Sequence, residues 1–171
     1  DKHFNINKPV NLVGEGAEFT NVQFTVRSDN VSIINMELNY TGANPIIDVD
    51  GVSNFTLDNS FIVYSTGADW ASVISVKNSD EVIIKDNYIE ASGKSFIDGI
   101  LISDSNFTIE SNTISVSSGM VAEGINIVGS GNGNVRGNKV DVIANRTVYG
   151  MNTTVIYQLN IIFVFNIIYG E

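Results

Sequence analysis

The chain has 171 residues, 43% of them hydrophobic and 16% charged, and nineteen Asp and Glu against nine Lys and Arg set its net charge at −10. That length bounds one domain with room for a sizeable core, and an acidic balance without any basic cluster argues against a nucleic-acid partner. Cys is absent and His3 is the single histidine, which excludes disulfides, thiolate metal sites and His-based clusters or triads.

In chain order, residues 1–29 read as an opening coil, and from Asn30 to about residue 169 one pattern recurs six times: Asn-x-x-apolar-x-x-Asn-x-apolar. Its clearest copies run from Asn106 through Ile109 and Asn112 to Ile114, and from Asn132 through Val135 and Asn138 to Val140. A third runs from Asn160 through Phe163 and Asn166 to Ile168, while weaker copies place Met36, Ser60 and Asn87 at the second Asn. The second position recurs at spacings of 24, 27, 25, 26 and 28 residues. A period in the twenties marks a stacked repeat.

Each unit predicts three short strands. The first centres on Ile33, Leu57, Ile84, Ile109, Val135 and Phe163, and the second on Leu38, Ile62, Ile89, Ile114, Val140 and Ile168. The third holds Ile47/Val49, Ile74/Val76, Ile100/Ile102 and Ile125/Ile127, with Met151 continuing it. Alternation has period two throughout, Ile and Val outnumber Leu at the apolar positions, and no window keeps a helical period. This excludes a leucine-rich repeat and predicts an all-β parallel solenoid of six to seven coils, 24–28 residues each. Ser60, Asn87, Asn112, Asn138 and Asn166 are expected to form a stacked ladder at the corner between strands one and two. Asn suits that corner by tolerating the left-handed region and by bonding backbone. The apolar stretch 155–169 fits the register as a last coil and is too interrupted by Gln158, Asn160 and Asn166 for a membrane span.

The stretches KPVNLVGEG (8–16) and FTVRSDNVSI (24–33), together with the ladder, resemble the first coils of right-handed parallel β-helix proteins of the pectate-lyase-like superfamily. Within it, the chain is most similar to repeats of adhesin-like cell-surface proteins of methanogenic archaea, over about residues 3–169. The resemblance implies a right-handed, single-stranded β-helix and an extracellular location. It leaves function open, because one fold hosts many activities. The paired-acid pattern of polygalacturonases and the Asp-Pro-His pattern of uronan epimerases are both missing. A non-enzymatic structural or adhesive role is therefore expected, without a cofactor. A carbohydrate-active enzyme and a filament subunit stacking end to end on further copies are the alternatives. The apolar last coil suggests a segment of a longer array or an assembling end.

Candidate site residues follow from this picture. Loops after the second strand, at about 40–45, 65–72, 92–97, 117–122 and 144–148, should emerge on one side. They and their edges carry Tyr40, Tyr64, Trp70, Phe96 and Tyr149, an aromatic set suited to a glycan or a surface protein, together with Met120. Asp48, Asp50, Asp80, Asp98 and Asp104 lie near the third strand and offer oxygen ligands for Ca2+, although Asp at strand ends is also ordinary turn chemistry. Arg27, Arg136 and Arg146 are scattered over distant coils. Six N-glycosylation sequons begin at Asn30, Asn39, Asn54, Asn106, Asn145 and Asn152, and their use would mark a glycoprotein.

Overall fold

The architecture comes from a computed structural model, which describes residues 2–155 and 159–167, with side chains from 2 to 154. Three strands make each coil. The first coil holds β1 (Lys2–Ile6), β2 (Val10–Val13) and β3 (Glu18–Thr20), and the second β4 (Val22–Val26), β5 (Val31–Ile34) and β6 (Glu37–Thr41). The third holds β7 (Ile47–Asp50), β8 (Phe55–Asp58) and β9 (Phe61–Thr66); the fourth holds β10 (Trp70–Lys77), β11 (Val82–Lys85) and β12 (Tyr88–Gly93). The fifth holds β13 (Phe96–Ser103), β14 (Phe107–Glu110) and β15 (Thr113–Ser118). Beyond it come β16 (Val121–Gly129), β17 (Gly133–Ala144), which passes through a corner unbroken, β18 (Thr147–Val155) and β19 (Leu159–Ile167).

Every coil pairs in parallel with the next. One sheet has the order β1-β4-β7-β10-β13-β16-β18, and the remaining strands form a second sheet continuous through β17, with β19 beside it. The chain is an all-β parallel solenoid of about six turns. Parallel stacking at about 4.8 Å aligns equivalent residues into columns. Ile33, Leu57, Ile84, Ile109 and Val135 form one column, and Leu38, Ile62, Ile89, Ile114 and Val140 another. All ten are fully buried. Burying such a side chain is worth about 1.5–3 kcal/mol, and a coil gains it only when stacked.

The ladder runs inside this core. The Ser60, Asn87 and Asn112 backbone N–H groups donate to the side-chain oxygens of Asn87, Asn112 and Asn138 at 2.9, 3.0 and 2.9 Å. The side-chain amides of Asn87, Asn112 and Asn138 reach back to the carbonyls of Leu57, Ile84 and Ile109 at 3.1, 2.9 and 2.9 Å. Met36, lacking such a group, only donates its N–H to Ser60 Oγ at 3.2 Å.

Two expectations are corrected here. Positive φ belongs to the residue before each ladder position, namely Asn35, Asn59, Asp86, Ser111 and Gly137, so the ladder Asn serves as a buried hydrogen-bond hub and not as the left-handed residue. Asn166 also falls outside the ladder register. β19 pairs Ile161 with Val135, Phe165 with Val140 and Asn166 with Asp141, after a shift between Arg136 and Lys139. The residue before Asn166 is Phe165, and a bulky aromatic resists the left-handed corner that Gly137 adopts at φ 64. The expected alignments of Phe163 with Val135 and of Asn166 with Asn138 are thereby replaced; Ile168 lies outside the described residues.

Candidate functional site: a groove at the bend of the third face

The third strand of the coil is where regular alternation fails. In β10, β13 and β16 the consecutive pairs Val73–Ile74, Gly99–Ile100 and Gly124–Ile125 are all buried, so two neighbouring residues point inward and the strand bends. Val73 fills this position in β10, whereas in β13 and β16 the neighbouring coils leave no room for a side chain. A Cβ at Gly99 would lie 2.6 Å from the Gly124 carbonyl oxygen, and one at Gly124 would lie 2.2 Å from Val140 Cγ1 and 2.7 Å from the Gly150 oxygen.

The bend divides the outer face into two arms. One carries Ser72, Asp98, Glu123 and Tyr149 as partners in successive coils; the other carries Ser75, Leu101, Asn126 and Asn152. Between them runs a groove of about 330 Å³, closed at one end by Ala43 and Pro45. A neighbouring hollow of about 470 Å³ shares Pro45 and Lys77 with it and extends it past Asp48, Arg27, Thr25 and His3.

The groove wall is aromatic. Trp70 and Phe96 stack with centroids 4.0 Å apart and planes within 2°. Rings that close and that parallel must lie face to face, so one indole face rests on Phe96. Trp70 remains 73% exposed and lines the groove together with Ala43.

The floor is acidic. Asp98 accepts hydrogen bonds from Ser72 Oγ at 3.0 Å and from the Asn126 amide at 3.2 Å, the latter across the bend. Glu123 accepts from the Asn152 amide at 3.2 and 3.3 Å. The two acids are hydrogen-bonded to each other. Burial, then the Asp98 charge, pushes the Glu123 carboxyl up to about 7, against the opposing Asn152 bond. Burial also raises Asp98, against its bonds from Ser72 and Asn126. Near neutral pH Glu123 is thus still partly protonated, because adjacent carboxylates resist joint ionisation. Close by, Ser75 Oγ and Asn126 Oδ1 are buried without a hydrogen-bond partner, and Ser75 is 2% exposed.

Of the aromatic set, the structure brings Trp70 and Phe96 together and places Tyr149, 43% exposed, next to Glu123. Tyr40 and Tyr64 are corrected: both are buried, because β6 and β9 alternate them inward with Leu38 and Ile62. The Tyr64 hydroxyl donates to the Gly42 and Asn44 carbonyls at 2.9 and 3.2 Å, and burial pushes it up to about 12. The expected loops are also corrected. The third strand grows from four residues in β7 to eight in β10 and β13, so the extra length becomes sheet and the connections shrink to turns.

The remaining acids go elsewhere. Asp48 pairs with Arg27; Asp50 accepts from Asn78 and Asp80 from Asn106, both at 2.9 Å. Asp104 is held below the usual carboxylate range, first by the Ser130 backbone N–H and then by the Ser103 hydroxyl. Arg136 pairs with Glu110, and Arg146 is exposed. Among the described residues, no three His, Cys, Asp or Glu side chains converge as metal ligands.

Among the sequons, Asn39 and Asn145 are exposed, Asn30 and Asn54 are exposed at positive φ and hydrogen-bonded to each other, and Asn106 bonds Asp80. The Asn152 amide is committed to Glu123, which lines the groove. The alternation pattern did not point to Ser72, Ser75, Glu123 and Asn126. A signal was present: Asp98-Gly99-Ile100 and Glu123-Gly124-Ile125 are in-phase acid-Gly-Ile triplets, repeated as Tyr149-Gly150-Met151.

No helix among the described residues is long and apolar enough to cross a membrane. In comparisons with known proteins, no family model, no curated protein and no solved structure matches the chain.

Proposed function

We propose that this chain is a non-catalytic, cell-surface β-solenoid whose bent third face binds saccharide. The observation that carries the reading is the Trp70–Phe96 stack set beside rungs of carboxylate and amide groups in one groove. A pyranose ring has an apolar face and a rim of hydroxyls. An exposed indole face accepts the first, and planar side chains such as Asp98, Glu123, Asn126 and Asn152 accept the second. Coils about 4.8 Å apart repeat these polar rungs along the direction in which a sugar chain would lie. The resemblance of the repeat to right-handed β-helix repeats of archaeal adhesin-like proteins, and exposed sequons at Asn39 and Asn145, support display outside the cell as a glycoprotein.

Binding is favoured over glycoside cleavage by the acid geometry. Hydrolysis by two carboxyl groups needs them about 5–9.5 Å apart, across the scissile bond. Asp98 and Glu123 are in direct hydrogen-bond contact, too close to straddle one.

Calorimetric titration with neutral and charged oligosaccharides tests the proposal. Trp70→Ala should weaken binding at least about tenfold, on the order of 1.4 kcal/mol, while leaving the melting temperature nearly unchanged because the side chain is exposed. Undiminished binding by a folded Trp70→Ala variant would overturn the reading.

A further inference from the structure

We infer that the groove selects an amino-bearing saccharide, whose ammonium group sits between Asp98 and Glu123 while its ring packs against the Trp70 wall. This rests on the saccharide reading above and names the chemistry that the floor would recognise.

The inference comes from counting charges and donors. Asp98 and Glu123 touch each other, and the partners that hold them are all neutral: Ser72, Asn126 and Asn152. Neither acid takes part in an ion pair among the described residues. Lys77 lines the same groove from the other arm, Tyr149 flanks Glu123, and Arg27 is engaged by Asp48. Two half-buried acids therefore share a site in which no cation pairs with them among the described residues, Lys77 standing on the other arm of the groove.

Ser75 is an independent sign of a ligand. It lies on the outer side of β10 between inward Ile74 and Val76, lines the groove at 2% exposure, and its hydroxyl has no partner. Asn126 commits its amide to Asp98 and leaves its carbonyl oxygen, also buried, without a donor. Leaving such groups unpaired is costly. The floor thus holds polar groups without a hydrogen-bond partner and an acid pair that no cation neutralises by direct contact. An ammonium supplies three N–H donors and one charge, which a neutral hydroxyl or an N-acetyl group cannot. The exposed Trp70 indole, which lines the groove with Ala43 and Pro45, supplies the flat apolar surface that a sugar ring needs.

Burial and mutual repulsion keep a proton on the pair up to about pH 7. An incoming ammonium replaces that proton, so affinity should rise as pH climbs from 5 toward 7, with proton release on binding. Titration of the whole chain with oligomers of glucosamine, N-acetylglucosamine and lysine provides the test. The glucosamine oligomer should bind at least about tenfold more tightly than its acetylated counterpart, and Glu123→Gln and Asp98→Asn should each remove most of that preference and the pH dependence. Equal binding of both sugar oligomers, with Trp70→Ala still weakening both, overturns the amine selection and leaves the saccharide site standing. Binding of neither sugar overturns both readings. Oligolysine bound as tightly as the amino sugar and insensitive to Trp70→Ala overturns the saccharide part. Circular dichroism of each variant establishes that it is folded, and the two isosteric variants check one another.

Discussion

A buried asparagine in the ladder carries more obligations than any surface residue of this chain. The Asn112 side-chain oxygen accepts from the Asn87 backbone and side-chain N–H groups, and its amide serves the carbonyls of Ile84 and Glu110. Asn112→Leu would leave these groups buried and unpaired at about 1–3 kcal/mol each, so a loss of at least about 3 kcal/mol is expected in denaturant titration. Glu123 is strained in the opposite sense. Its folded value of about 7 lies above the ordinary 4.5, so the native state keeps a proton that the unfolded chain releases between those pH values. Stability therefore falls as pH rises through that window. Glu123→Gln removes the effect, with an amide able to accept from Asn152 and donate to Asp98. The variant should melt about 2–4 °C above wild type at pH 8, roughly 1 kcal/mol after allowing for solvent screening, and the difference should vanish near pH 4.

At the scale of the strand, period-two alternation made the first two strands of each coil legible, because residues such as Ile84 and Ile114 need only one face to be buried. The bent third strand breaks that rule. Two consecutive inward residues look like a lapse in the pattern, and the glycines that hold this position in β13 and β16 look like turn residues. Only the stacked coils show that Gly124 faces Val140 and the Gly150 carbonyl. Gly124→Val should therefore destabilise the fold by about 1–3 kcal/mol, since the backbone oxygen in contact cannot yield. The Tyr40 and Tyr64 positions illustrate the converse. Aromatic rings near a strand end suggested a surface, whereas the parity of β6 and β9 places them in the core.

At the scale of the molecule, a net charge of −10 surrounds a groove whose two acids have no ion-pair partner among the described residues. Association with a cationic oligomer should be electrostatically steered, so its on-rate should fall about tenfold or more between low and high salt in stopped-flow measurements, while Trp70→Ala should act chiefly on the off-rate. The repeat, the all-β class and the inward columns were determined by the sequence alone, because burial at period two and a corner every 24–28 residues are local demands that each unit states for itself. The site was decided only by the tertiary structure. Asp98 and Glu123 are 25 residues apart and meet because adjacent coils stack in register; Asn126 reaches Asp98 because the strand bends. Contacts between coils depend on register and curvature, which no single repeat encodes.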